Sequence, residues 1–315
     1  MTFAGRRAGN AAAPCLVSEF EWNADMTELI MQAVYSGLLQ GGSYALIALG
    51  LALVFGAMKV INLAHGELVL LSAYVAYTVE SQLGWNPMMA IPVSVVVVSL
   101  ASASVYFLVG QIKTNREINS LTLTYGVGVI LTNLILLIWK ADVRATNSLW
   151  MQEAIVIGPL YSMRSELLFF GISVVLIAGL WWWLSRSWYG RAVRAVSSNR
   201  DAAKLMGINP GYTELISFIV AGILAAFAGV ALFSYGVITP SYGGVLTVKA
   251  FIITVLAGMG SIPGVLIGAL LLGVVEALTV TLASSALQEL AGMGLFLLVL
   301  FVMPNGLFGA TRRRG

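Results

Sequence analysis

Nine apolar runs separated by short polar breaks constrain this chain more than any other feature. They lie near residues 29–57, 61–80, 88–111, 120–139, 167–185, 213–235, 245–260, 264–283 and 287–303. About 20 consecutive apolar residues let an α-helix cross the hydrocarbon core of a bilayer, so little chain remains for a water-soluble domain. Composition agrees: 59% of the 315 residues are apolar and 10% are charged, whereas soluble domains carry about 25% charged residues. A soluble enzyme, a disordered chain and a nucleic-acid binder are excluded, and a net charge of +3 gives no hold on a polyanion. The expected fold is all-α, a polytopic bundle of nine or ten transmembrane helices in the lipid bilayer. The choice between nine and ten rests on the first run, which is long and contains Gly41-Gly42. It is either one tilted helix or a half-helix followed by a full span. Gly37-x-x-x-Gly41 and Gly264-x-x-x-Gly268 allow close helix approach, either inside the subunit or at a dimer seam.

Several chemistries are missing. Cys15 is the single cysteine and His65 the single histidine, so no intramolecular disulfide, metal site or cofactor site is expected. No Gly-Lys-Ser or Gly-Lys-Thr occurs, so the chain has no P-loop. Residues 1–25 hold Arg6, Arg7, Glu19, Glu21 and Asp25 but no apolar run fit for a signal peptide. The expectation there is a disordered extension, with Met26 rather than Met1 as the natural start, followed by a membrane domain over 26–309 and a basic tail at 310–315.

Charge placement orients the spans. With Arg312, Arg313 and Arg314 in the cytoplasm and nine spans, the cytoplasmic segments also hold Lys59, Lys113, Arg116, Arg186, Arg191, Arg194, Arg200 and Lys204. That bias is the positive-inside pattern. The N-terminus then falls outside and the C-terminus inside.

The most structured of these segments is Asn199-Arg-Asp-Ala-Ala-Lys-Leu-Met-Gly-Ile-Asn-Pro-Gly211. Asn199 is a good helix cap. Asp201 in the first turn suits the helix dipole. Ala202 to Met206 are strong helix formers, and Gly207 with Pro210 stops them. The spacing predicts a helix of about two turns between two spans. Its composition alone also fits an interfacial loop held by arginines on anionic lipid.

Asp201-Ala-Ala-x-x-x-Gly207 resembles the Glu-Ala-Ala-x-x-x-Gly loop of binding-protein-dependent ABC importer permeases, with Asp for Glu and without the usual Ile-x-Leu-Pro continuation. Two more stretches resemble the branched-chain amino-acid permease class of that family. One is Gly37-Leu-Leu-Gln-Gly-Gly-Ser-Tyr-Ala-Leu-Ile with Asn62-Leu-Ala-His-Gly-Glu67. The other runs from Lys249-Ala-Phe through Gly258-Met-Gly-Ser-Ile-Pro-Gly264 and Glu276 to Met303-Pro-Asn-Gly-Leu-Phe308. Together they cover roughly 29–309. The resemblance implies a non-catalytic membrane subunit in a bacterial inner membrane, translocating leucine, isoleucine and valine. It implies separate cytoplasmic ATPase subunits, a second homologous permease subunit forming a heterodimer, and an extracytoplasmic solute-binding protein. The ATPase-coupling residues would be Arg194, Asn199, Arg200, Asp201, Ala202, Ala203, Lys204, Met206 and Gly207. A urea or short-amide importer shares nearly the same motifs. An ion-coupled secondary transporter using Glu276, Lys249 and His65 is the alternative of another class.

Polar residues in apolar surroundings complete the candidate sites. Asn62, His65 and Glu67 follow the first span. Either they belong to a gate or polar path, or Asn62 caps a helix and the other two sit in interfacial water. Glu276 lies inside a span, where a carboxylate costs about 2.5–3.5 kcal/mol on insertion scales. Lys249 is its candidate partner, and the two either line the path or brace the bundle. Gly258, Gly260, Ser261, Pro263 and Gly264 read as a tight cytoplasmic turn that adds to the ATPase contact.

Overall fold

The computed structural model describes residues 26–112, 114–258 and 260–308. The predicted extension at 1–25 and the tail at 310–315 lie outside the described residues. The chain is built from helices α1 (Met26–Met58), α2 (His65–Leu83), α3 (Ile91–Gly110) and α4 (Arg116–Trp139), then α5 (Leu149–Gln152), α6 (Arg164–Arg186), α7 (Trp188–Ser198) and α8 (Arg200–Leu205), then α9 (Pro210–Tyr235), α10 (Tyr242–Ala257), α11 (Ile262–Leu282) and α12 (Gln288–Val302). Short strands occupy the connections. A hairpin pairs β2 (Ala154–Ile157) with β3 (Leu160–Met163), and β1 (Arg144–Ala145) pairs antiparallel with β4 (Val237–Ile238), Arg144 opposite Ile238. Seven described helical segments are long and apolar enough to cross a membrane; α2, with 19 residues, and α10, with 16, are the two remaining helices that coincide with predicted spans.

Two helices form the centre. α1 packs against α6, α9, α10 and α11, while α9 packs against α1, α2 and α3. Lipid tails are as apolar as leucine, so helices associate through close backbone approach and interhelical hydrogen bonds rather than through hydrophobic exclusion. Both devices are present. A Cβ at Gly37 would stand 2.7 Å from the Gly273 carbonyl oxygen, and one at Gly41 2.8 Å from Leu270 Cα. Ser72 Oγ donates to Ala226 O at 2.7 Å, and Ser102 Oγ donates to Phe218 O at 2.6 Å.

These contacts settle two expectations. α1 runs unbroken through Gly41-Gly42, because those glycines seat α11 and α6 rather than interrupt the helix. Gly37, Gly41, Gly264 and Gly268 all face neighbours within the subunit, so both small-residue motifs serve internal packing. A third is corrected: the helix over the second predicted span begins at His65, not 61, because residues 59–64 are not helical.

Candidate coupling face and buried polar centre

At the face carrying α7 and α8, Asn199 is extended and its Oδ1 accepts from the backbone N–H of Asp201 (3.1 Å) and Ala202 (3.0 Å). Gly207 adopts φ +79° after the last turn, a conformation open to glycine. Ala203 is the buried side chain of α8, whereas Asp201, Ala202, Lys204, Leu205, Met206 and Gly207 are exposed. Leu205 is 89% and Met206 81% exposed, which makes them the protruding apolar groups of this helix. Leu205 escaped the sequence reading because a lone leucine between two spans looks like any other. Arg194 lies on α7, one helix before α8, and is exposed. Its Nη1 donates to Leu184 O at 2.9 Å, tying α7 to the end of α6. Replacing Asn199 with alanine is expected to cost about 1 kcal/mol of local stability, read as faster hydrogen exchange at Asp201 and Ala202 with the rest of the bundle unchanged.

Beneath α8 lies a carboxylate that the sequence reading passed over. Glu214 on α9 is buried and meets Arg116 of α4 and Arg200 of α8. The neighbouring Tyr189 phenol donates to Thr213 O at 2.9 Å. Burial pushes that phenol up to about 12 against a smaller opposing effect from its bond with Ser217, so it remains a protonated donor across the physiological range.

The turn between α10 and α11 has Gly258 at φ +84° and Gly260 at φ +98°. Ser261 Oγ accepts from Gly264 N, and Pro263 lies in the first turn of α11. The chain after α12 folds onto this turn: Leu307 N donates to Leu256 O at 2.8 Å and Phe308 N to Ala257 O at 3.2 Å.

Residues 59–64 run back alongside α1 instead of starting a helix. Asn62 Oδ1 accepts from Ala64 N at 3.1 Å, and His65 Nε2 donates to Ile47 O at 2.8 Å, which places the ring proton on Nε2. Ile47 is about 16 Å of helix rise before Met58, roughly half the depth of a hydrocarbon core. Asn62, His65 and Glu67 are all buried, which overturns the interfacial-water alternative. Non-helical backbone at such depth is tolerated only where protein covers it or water lines it. Here Thr124 Oγ1 accepts from Leu63 N at 3.1 Å, and Thr247 Oγ1 accepts from Gly66 N at 2.9 Å. The Glu67 carboxyl lies against Gly243 at the start of α10, and its Oε2 has no hydrogen-bond partner.

The second buried centre joins α1, α10, α11 and α12. Lys249 Nζ donates to Glu276 Oε2 at 2.7 Å and to Tyr44 OH at 2.8 Å. Tyr44 OH and Gln288 Nε2 each donate to Glu276 Oε2 at 2.8 Å, and Gln40 Nε2 donates to Tyr44 OH at 2.9 Å. The ammonium also sits 4.6 Å from the Tyr44 ring centroid, an arrangement that favours a cation. A cavity of about 210 Å³ opens above the pair between α10 and α12, with Val245, Val248, Ile252, Gly292 and Met293 in its wall. Tyr44, Gln40 and Gln288 were not singled out from sequence, since nothing local marks a tyrosine in an apolar run as the partner of an ion pair 205 residues away.

A helical membrane bundle with paired charges at its core and an exposed short helix on the connection between two long ones, α6 and α9, has the build of a transport permease. Residues 33–303 match the family described as the branched-chain amino acid transport system, permease component. The chain is 31% identical to the high-affinity branched-chain amino acid transport system permease protein BraD of Pseudomonas aeruginosa, over 89% of this chain and 95% of that protein. It is also 31% identical to the corresponding permease protein LivH of Escherichia coli K12, over the same shares. With the probable branched-chain amino acid transport permease LivH of Methanocaldococcus jannaschii it shares 29% identity, over 89% of this chain and 91% of that one. No solved structure matches the chain. The chain belongs to the branched-chain amino acid transport permease family and is a non-catalytic membrane component of a transporter.

Proposed function

We propose that the chain translocates leucine, isoleucine and valine into the cell as one membrane subunit of an ABC importer. An extracytoplasmic binding protein delivers the amino acid. Two cytoplasmic ATPase subunits supply the work, and a second, related permease completes a heterodimer in the inner membrane. The domain over 26–309 crosses nine times, through α1, α2, α3, α4, α6, α9, α10, α11 and α12, with the N-terminus outside and α7, α8 and the C-terminus inside. Residues 199–207 receive the ATPase, and the turn at 258–264 adds to that contact. Asn62, His65, Glu67, Lys249 and Glu276 belong to the translocation path or its gate.

The observation that carries this reading is α8: a six-residue helix with a side-chain cap, on the stretch between α6 and α9, offering exposed Leu205 and, just after it, Met206. A loop that only rests on lipid has no need of a capped rigid helix. Affinity purification of the chain from its native membrane is expected to bring down a P-loop ATPase. Ala202→Arg, on the exposed side, should abolish that co-purification while the detergent-solubilised bundle keeps its elution volume. Recovery without any ATPase, together with uptake that a protonophore stops, would instead favour ion-coupled transport.

A further inference from the structure

We infer that Glu214 is a positioning residue, the joint through which movement of α8 reaches α9 and α4, and through α4 the buried segment 59–64. The inference rests on the importer reading and adds the route by which the stroke travels.

Glu214 lies four residues after Pro210, in the first turns of α9, with its side chain 1% exposed. A carboxylate this buried is expensive unless opposite charge and hydrogen bonds compensate it. Two arginines do so from two other elements. Arg116, the first residue of α4, donates through Nη1 to Oε1 at 3.2 Å and through Nη2 to Oε2 at 2.9 Å. This is the forked geometry that makes arginine–carboxylate pairs directional. Arg200, the first residue of α8, contacts Oε1 through Nε at 3.1 Å and donates to Oε2 through Nη2 at 3.2 Å. Both carboxylate oxygens are therefore shared, and three elements meet at one side chain.

The two arms differ. Arg116 is 19% exposed and Arg200 45%. Ion pairs in water are weak, while dry ones are costly to break. The Arg116 arm is accordingly the permanent one, and the Arg200 arm the one a partner can load. Among the described side-chain bonds, Arg200 to Glu214 is the one that ties α8 to a membrane-crossing helix. Beyond the joint, α4 is an unbroken helix of 24 residues. Thr124, about 12 Å along it, holds Leu63 N, and Gly128 one turn further backs Ala64 and Glu67. A pull on α8 thus has a continuous path of paired charges and rigid helix to the non-helical segment at membrane depth. That segment has no helical hydrogen-bond ladder of its own to resist such a pull.

The test reconstitutes the full transporter in liposomes, this chain with its partner permease, ATPases and binding protein, and reads leucine moved per ATP hydrolysed. Arg116→Gln and Glu214→Gln are expected to assemble and to keep hydrolysing ATP, with that ratio down about tenfold, the range of an ordinary coupling energy. Glu214→Asp should recover most of the ratio, and Arg116→Lys, which keeps charge but loses the fork, should fall between. If Glu214→Gln does not assemble, the two arginine variants decide, since they leave Glu214 paired with Arg200. Uptake and hydrolysis falling in parallel, at the wild-type ratio, would overturn the inference and make the cluster a brace. A wild-type complex whose uptake ignores ATP would overturn the importer reading instead.

Discussion

Lys249→Met is expected to cost about 3–5 kcal/mol of stability, the usual penalty for leaving one member of a buried ion pair behind. The loss should appear as a collapse of folded yield and a lower unfolding temperature in detergent. The reason is local. Without the ammonium, Glu276 Oε2 keeps donors from Tyr44 and Gln288, but its charge faces the apolar wall formed by Val245, Val248 and Ile252. Glu276→Gln strands the ammonium in the same way. The double variant Lys249→Met, Glu276→Gln removes both charges yet leaves an amide oxygen for Tyr44 and Gln288, so it should regain most of the loss. Singles as stable as wild type would show that the pair carries no net constraint. Transport then separates the two functions open to the pair. If the double variant folds and transports normally per molecule, Lys249 and Glu276 are a brace. If it folds and does not transport, the pair belongs to the path.

How much of this was legible in the residues depends on the range of the interaction concerned. Helix capping is local, so Asn199, Gly207 and Pro210 announced α8 almost to the residue. Membrane crossing is a property of length and apolarity, so every predicted span has a helix. Residues 61–64 were misread for a physical reason. Val60 and Ala64 are buried and Ile61 and Leu63 half-buried, and hydropathy does not distinguish such a non-helical stretch from the first turn of a helix. Asn62 carried the right local signal, since its side chain does accept from the chain ahead, but the depth of that turn is fixed by His65 reaching Ile47. Glu214 was hidden by distance, with partners 98 residues before it and 14 before it. A lone carboxylate a few residues inside an otherwise apolar run was the available clue, the same clue that brought Glu276 forward.

A large steric effect is expected at Gly66. Its backbone φ is not in the positive region, so space and not conformation demands glycine. A Cβ there would overlap the Gly243 carbonyl oxygen and stand 2.6 Å from Thr247 N. Both are backbone atoms of α10 that cannot rotate aside. α2 begins at membrane depth, and its first turn is satisfied by the N-terminal part of α10, with Thr247 Oγ1 accepting from Gly66 N. A methyl group between them therefore breaks the hydrogen bond and wedges two helices apart. Overpacking alone costs typically 1–3 kcal/mol, and stranding the buried donor adds a similar amount. Gly66→Ala should accordingly yield little folded protein and no uptake. Gly243→Ala is the graded case. Its Cβ meets the Glu67 carboxyl, the end of a side chain that can turn, so the loss should be smaller and Glu67→Ala should suppress it, a coupling that a double-mutant cycle measures directly. Gly244→Ala, with nothing within 4 Å of its Cβ, should behave as wild type. If the three glycine variants lose folded protein to the same extent, the close approach of α2 and α10 is not what holds the segment 59–64 in place.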